Sequence, residues 1–268
     1  MSLIHPTAVI DPRAKIAKNV VIGPYCVIGQ NVVLEEAVEL KSHVVIDGYT
    51  TIGARTVVYP SAVIGTKTQD KKYRGEKTYV LIGSDCEIRE FVTINSSCGE
   101  GTAVKVGNGC LIMAYCHIAH NCELGNNVIM ANNATLAGHV IVGNSAIIGG
   151  LAAVHQFVRI GDYAMIGGMS RITHDVPPFT IGAGSPYRYG GLNLVGLKRH
   201  GFSLSTRSAL SKAFKITCRS GLTLAEAIDR IENDVEALPE VKNWVDFCKS
   251  SQRGLMASAV KESSSSEE

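Results

Sequence analysis

Long apolar runs are missing from this 268-residue chain. No stretch approaches the ~20 consecutive apolar residues that a membrane-spanning helix needs, so no integral membrane segment is expected. Aromatic residues are scarce, at 6% with a single Trp, which leaves the core to aliphatic side chains. Net charge is nearly absent too, +2 from 26 basic and 24 acidic residues, so only its distribution can point to a partner. The N-terminal MSLIHPTAVIDP has no basic-then-apolar leader, which sets the expectation of a cytoplasmic protein. There the eight cysteines are expected as reduced thiols, not as a disulfide framework.

What is present is a period of six. Stepping by six from Ile4 to Ile172 visits 29 slots, and 26 of them are aliphatic or Met; only Asp70, Glu76 and Glu100 fail. Two residues before each slot stands something small or β-branched, such as Ala8, Val20, Val44, Thr50, Ala134 and Ala152. Residues two apart on a strand share a face, so each hexad offers one large and one small inward side chain. Gly, Asn and Asp follow the slot in LGNN, VGNS and IGDY, where a turn is expected to need positive φ. Short strands separated by corners build a parallel β-helix. The pattern resembles the hexapeptide-repeat acyltransferases, whose left-handed parallel β-helix winds three hexads per coil. That resemblance implies nine to ten coils and a prism roughly 45 Å long at ~4.8 Å per coil.

On this winding Cys26, Cys86, Cys98, Cys110, Cys116 and Cys122 all take the small inward slot and are read as filler. Cys110, Cys116 and Cys122 fall on three different faces and cannot share a metal. The slots at Ile118, Leu136 and Val154 stack. Just beyond them come Ala119-His120-Asn121, Ala137-Gly138-His139 and His155-Gln156. Three imidazoles at one corner of three consecutive coils, with a glycine between them, are more than a solvated turn requires. His117 precedes Ile118 and is expected to flank that corner. The break in the repeat at 66–79, TKTQDKKYRGEKTY, leaves after Ile64, assigned by eighteen-residue spacing to the stack 64, 82, 100, 118. A long polar loop leaving the histidine edge of a regular scaffold suggests function.

Beyond Ile172 the hexads dissolve into a Pro/Gly-rich exit, so the β-helix is expected over 1–190. A small helical domain over 191–255 follows. Ser205 is expected to cap a helix that stops at Gly221, TLAE at Thr223 is a capping box, and Pro239 can open a further helix through Trp244. The ending at 256–268, with ESSSSEE, reads as a disordered tail. Between Val176 and Ala225 there is no Asp or Glu, yet seven basic residues are present: Arg188, Lys198, Arg199, Arg207, Lys212, Lys215 and Arg219. Such a block suits a polyanionic partner or phosphorylated ligand. Nucleic acid is not expected, since no recognised nucleic-acid-binding motif accompanies the basic residues.

The blocks TQDKKY, IREFVTIN, HIAHN, ANNATLAGHV, AIIGGLAAVHQF, DVPPF and GLKRHGF resemble the UDP-N-acetylglucosamine O-acyltransferases of lipid A synthesis, over residues 2 to about 255. The resemblance implies a metal-free homotrimer with sites between subunits and no cofactor of its own. An acyl carrier protein delivers a fatty acyl, often 3-hydroxyacyl, thioester on phosphopantetheine to the 3-hydroxyl of UDP-N-acetylglucosamine. By motif, His120 matches the general base, and the Gly138 N–H matches the oxyanion donor. Gln69, Asp70, Lys72, His117, His139, His155 and Gln156 match substrate-binding positions. Asn193 and Arg199 match the diphosphate and nucleotide end. Gly168 and Met165 match positions that limit acyl length. A glycine at 168 leaves room, so an acyl chain of roughly fourteen carbons is implied.

Two departures stand out. Many relatives have Asp after the catalytic histidine, where this chain has Asn121; an amide can orient an imidazole but cannot offset imidazolium charge. Val195 stands where some relatives carry a carboxylate near the ligand, which leaves donor discrimination open. The competing expectations are the N-acyltransferase of the same pathway, a coenzyme A-dependent sugar acetyltransferase, a zinc enzyme of the γ-carbonic anhydrase type using His117, His120 and His139, and a purely structural β-helix.

Overall fold

The computed structural model describes residues 3–255; the proposed tail at 256–268 lies outside them. The hexads fold into strands, most of two residues, wound as a left-handed parallel β-helix with three sheets, of eleven, nine and eight strands, the eleventh strand of the first sheet being antiparallel. Ile4 pairs with Ile22, Ile10 with Ile28 and Ile16 with Leu34, so one coil takes eighteen residues. From Ile22 to Ile172 the aliphatic slots and the small residues two positions earlier fill a continuous core. The first coil is open at the prism end, with Ile4 48% exposed.

The stack assigned from spacing alone is right at Ile64 and Ile118 and wrong at the two positions between them. Ile64 pairs with Ile94, and Ile94 with Ile118. Ile82 belongs to the third sheet, and Glu100 lies in a second excursion between strands Thr93–Asn95 and Ala103–Val106. The two excursions together consume the residues of one coil, which keeps the period in phase and hides the shift. The second sheet accordingly has nine strands, fewer coils than uniform spacing implies. Both excursions leave from the same corner, between the second and third sheets. That corner carries the histidines.

In LGNN, VGNS and IGDY the corner glycine serves close packing, not positive φ. The left-handed residue is the third after the slot: Asn127, Ser145 and Tyr163 have φ of 56°, 54° and 55°. Gly125 and Gly143, the first after the slot, would place a Cβ 2.8 and 2.5 Å from the next coil's backbone. The second residue closes the corner with its side chain. Asn126, Asn144 and Asp162 accept the N–H groups of Asn108, Asn126 and Asn144 at 2.8, 2.9 and 2.6 Å.

After the last strand, Arg188–Leu192, come helices α1 (Leu194–Arg199), α2 (Leu204–Arg219), α3 (Leu224–Asp234) and α4 (Pro239–Lys249). Ser203, not Ser205, caps α2, accepting the Thr206 N–H at 3.0 Å. Gly221 follows its end with φ 78°. Thr223 and Glu226 form the capping box of α3. Trp244 is fully buried, and its indole N–H donates to Thr217 Oγ1 at 3.0 Å. No helix among the described residues is long and apolar enough to cross a membrane.

Candidate active site

At the histidine corner the regular winding places side chains in columns. His120, Gly138 and Gln156 are each second after their slots; Asn121, His139 and Phe157 are each third, with φ of 58°, 61° and 63°. The strain of left-handed backbone is met by ladder bonds, His139 N–H to His120 O at 3.0 Å and Phe157 N–H to Gly138 O at 3.1 Å. His120 and His139 meet edge-on with centroids 5.2 Å apart, and His139 stacks on Phe157 at 4.6 Å. A Cβ on Gly138 would fall 2.3 Å from His120 Cε1 and 2.4 Å from Nε2. Glycine is therefore what lets the imidazole lie over the next coil. The Gly138 N–H finds no acceptor among the described residues, whereas the matching N–H groups along the third corner are taken up by Asn and Asp. An unpaired N–H beside an imidazole is suited to receive a developing oxyanion.

The tautomer of His120 is decided by its neighbour. Asn121 Oδ1 accepts the Cys98 N–H and its Nδ2 donates to the Cys98 carbonyl, both at 3.1 Å. This two-point pairing with backbone fixes which end of the amide is oxygen. Oδ1 lies 2.9 Å from His120 Nδ1, so Nδ1 must carry the proton, and Nε2 keeps its lone pair. That nitrogen faces the first excursion, where Asp70 Oδ2 stands 3.7 Å away. The Asp70 carboxyl is held below its ordinary range, first by the Lys72 backbone N–H and then by the charges of His120 and Lys72. His139 is pushed down by burial and then by the charge of His120.

A family profile described as UDP-N-acetylglucosamine O-acyltransferase, domain 2, matches residues 175–256. A hexapeptide-transferase profile matches 103–138, and one described as the GMPPB C-terminal domain matches 2–98. Acyl-[acyl-carrier-protein]--UDP-N-acetylglucosamine O-acyltransferases from Chlamydia abortus and Chlamydia caviae are 53% and 54% identical over 263 residues, covering 98% of this chain and 94% of theirs. The chain belongs to the UDP-N-acetylglucosamine O-acyltransferase family. Solved family structures agree in three dimensions. The enzyme from Bacteroides fragilis has a TM-score of 0.92 at 38% identity, covering 95% of this chain and 100% of that one. That from Acinetobacter baumannii has 0.90 at 41%, covering 94% and 99%.

Of the residues matched to O-acyltransferase positions, the fold brings Asp70, His120, Asn121, Gly138 and His139 together. His117 lies on the strand before Ile118, half-buried, its Nδ1 2.7 Å from Thr93 Oγ1; burial pushes its pKa down. His155 and Gln156 are exposed one coil beyond His139, and His155 Nδ1 lies 3.1 Å from the Gln156 carbonyl. Gln69 and Lys72 are exposed in the first excursion. Asn193 uses its amide as the cap of α1, accepting from Gly196 and donating to Tyr163, both at 3.1 Å; Arg199 is exposed at the far end of that helix. Met165 and Gly168 lie at the first sheet and its corner, a different prism edge from His120. No three His, Cys, Asp or Glu side chains among the described residues are arranged to hold a metal.

Two partners escaped the sequence reading. Cys98 is not inward filler: it is half-buried in the second excursion, and its backbone aligns Asn121. The failed slot at Glu100 was the signal of that excursion. Phe157, which supports His139, had no chemical signature, only its place in the column.

Proposed function

We propose that this chain transfers a fatty acyl group, 3-hydroxyacyl where the donor carries one, from acyl carrier protein to the 3-hydroxyl of UDP-N-acetylglucosamine, opening lipid A synthesis. The observation that carries the mechanism is the Cys98–Asn121–His120 alignment, which leaves Nε2 unprotonated. Nε2 removes the proton of the sugar hydroxyl as its oxygen attacks the thioester carbonyl. The Gly138 N–H donates to the oxyanion. When the intermediate collapses, the C–S bond breaks and the imidazolium returns its proton to the departing thiolate. No cofactor of the chain enters this scheme; the phosphopantetheine belongs to the donor.

Gln69, Asp70, Lys72, His117, His139, His155 and Gln156 line the sugar and thioester end of this reading. Arg199 meets the diphosphate, with Asn193 holding its helix in place. Gly168 and Met165 limit the acyl chain. Because they sit on another edge of the prism, one site can contain both them and His120 only if a second copy supplies one set, which favours the homotrimer. Acyl carrier protein and nucleotide sugars are cytoplasmic pools, and the enzyme is placed there with them. The test is transfer from carrier proteins loaded with different chains to UDP-N-acetylglucosamine, comparing wild type with His120→Ala. Wild-type transfer lost in a folded variant of unchanged oligomeric state is expected; equal turnover by the variant would remove His120 as the base.

A further inference from the structure

Asn121 leaves a deficit in this site. It orients His120 through Nδ1, but an amide carries no charge to balance the imidazolium that forms when Nε2 takes a proton. Around His120 the charged and titratable side chains are Asp70 and Lys72 of the first excursion, with Glu76 farther along it, Cys98 of the second, and His139 of the next coil. Among the described residues only Asp70 places a carboxylate oxygen at the ring, 3.7 Å from Nε2, with His120 and Asp70 side chains 16% and 20% exposed.

We propose that Asp70 is the counter-charge of the His120 imidazolium, supplying from the first excursion what Asn121 cannot supply from the corner. This rests on the acyl-transfer reading and assigns Asp70 a role acting through His120, beyond contact with substrate. The carboxylate is anchored for it. Oδ1 accepts the Lys72 N–H at 2.8 Å, and the Asp70 N–H donates to Thr68 Oγ1 at 3.2 Å. Thr68 is itself buried and tied to Ser96 at 3.1 Å. Oδ2 is thereby aimed at the ring from a braced loop, on the side where the sugar hydroxyl must approach. The proton passes from hydroxyl to Nε2 and on to the thiolate, and Asp70 remains ionised throughout.

The test is Asp70→Asn, which keeps the acceptor for the Lys72 N–H and removes only the charge. The imidazole C–H resonances of the facing His120–His139 pair are expected to titrate at lower pH than in wild type, a readout that needs no turnover. In the assay kcat should fall by about tenfold, and the acid limb of the kcat/KM profile should move to lower pH. Adding Asn121→Asp to Asp70→Asn should restore much of both, and Asp70→Glu should retain the wild-type titration. Unchanged imidazole titration in Asp70→Asn, or a rise in KM for UDP-N-acetylglucosamine with kcat intact, would overturn the proposal. If wild type transfers no acyl group, the functional reading fails while the titration still decides whether Asp70 is coupled to the ring.

Discussion

His117 and His139 show how burial and chemistry trade at single residues. Burial disfavours the protonated form of both imidazoles, and His120 adds to this at His139. Below the ordinary imidazole range the folded chain therefore binds fewer protons than the unfolded one, and protonation favours unfolding. Their contribution is intact above about pH 6.5 and is lost as the pH falls through that value toward their lower folded-state range. The urea midpoint is expected to drop between about pH 7.5 and 5.5, and His117→Gln should flatten that slope. An unchanged slope in the variant would assign the loss elsewhere. The depressed carboxyl of Asp70 acts in a separate window, at and below the ordinary carboxylate range near ~4.

The elements divide into those the sequence declared and those it concealed. Strands of two residues have almost no local propensity, yet their period of six repeats so often that Ile22, Ile64, Ile118 and Ile166 could be placed inward from spacing alone. Spacing failed at Glu100, because an excursion of one hexad preserves the phase and changes only which sheet comes next. It also failed at α1, whose six residues are too few to show helical periodicity, and at the start of α2, where Ser205 was expected as the cap and Ser203, two residues earlier, takes that place. The site was legible in its residue types, His120 and Gly138 above all. The carboxylate of Asp70 meeting Nε2 was not, because a twelve-residue excursion can fold back in many ways and only Thr68 and Ser96 decide which. The cap admits a direct check. Ser203→Ala should cost α2 about 1 kcal/mol in a denaturant melt, while Ser205→Ala should cost nothing measurable; the reverse ranking would return the helix start to Ser205.

At the scale of the molecule, a nearly neutral chain keeps an acid-free basic stretch at one end of a rigid prism. Among the described residues no carboxylate forms an ion pair with Arg188, Lys198, Arg199, Arg207, Lys212, Lys215 or Arg219. Lys212 is engaged with a backbone carbonyl, that of Asp234. Charge left unneutralised on exposed helices contributes little to the fold but sets up a field that attracts an anionic partner over a Debye length, about 8 Å at physiological salt. An acidic carrier protein arriving at that end would bring its thioester toward the histidine corner, while UDP-N-acetylglucosamine, a small ligand held by direct contacts, would depend less on the field. Charge reversal at Lys198 and Lys215, both exposed, should therefore raise KM for the acyl carrier protein substrate by roughly tenfold at low salt and far less at high salt. KM for the nucleotide sugar and the melting temperature should stay near wild type. Equal losses for both substrates, independent of salt, would mean that these lysines support the site itself and that the carrier docks elsewhere on the prism.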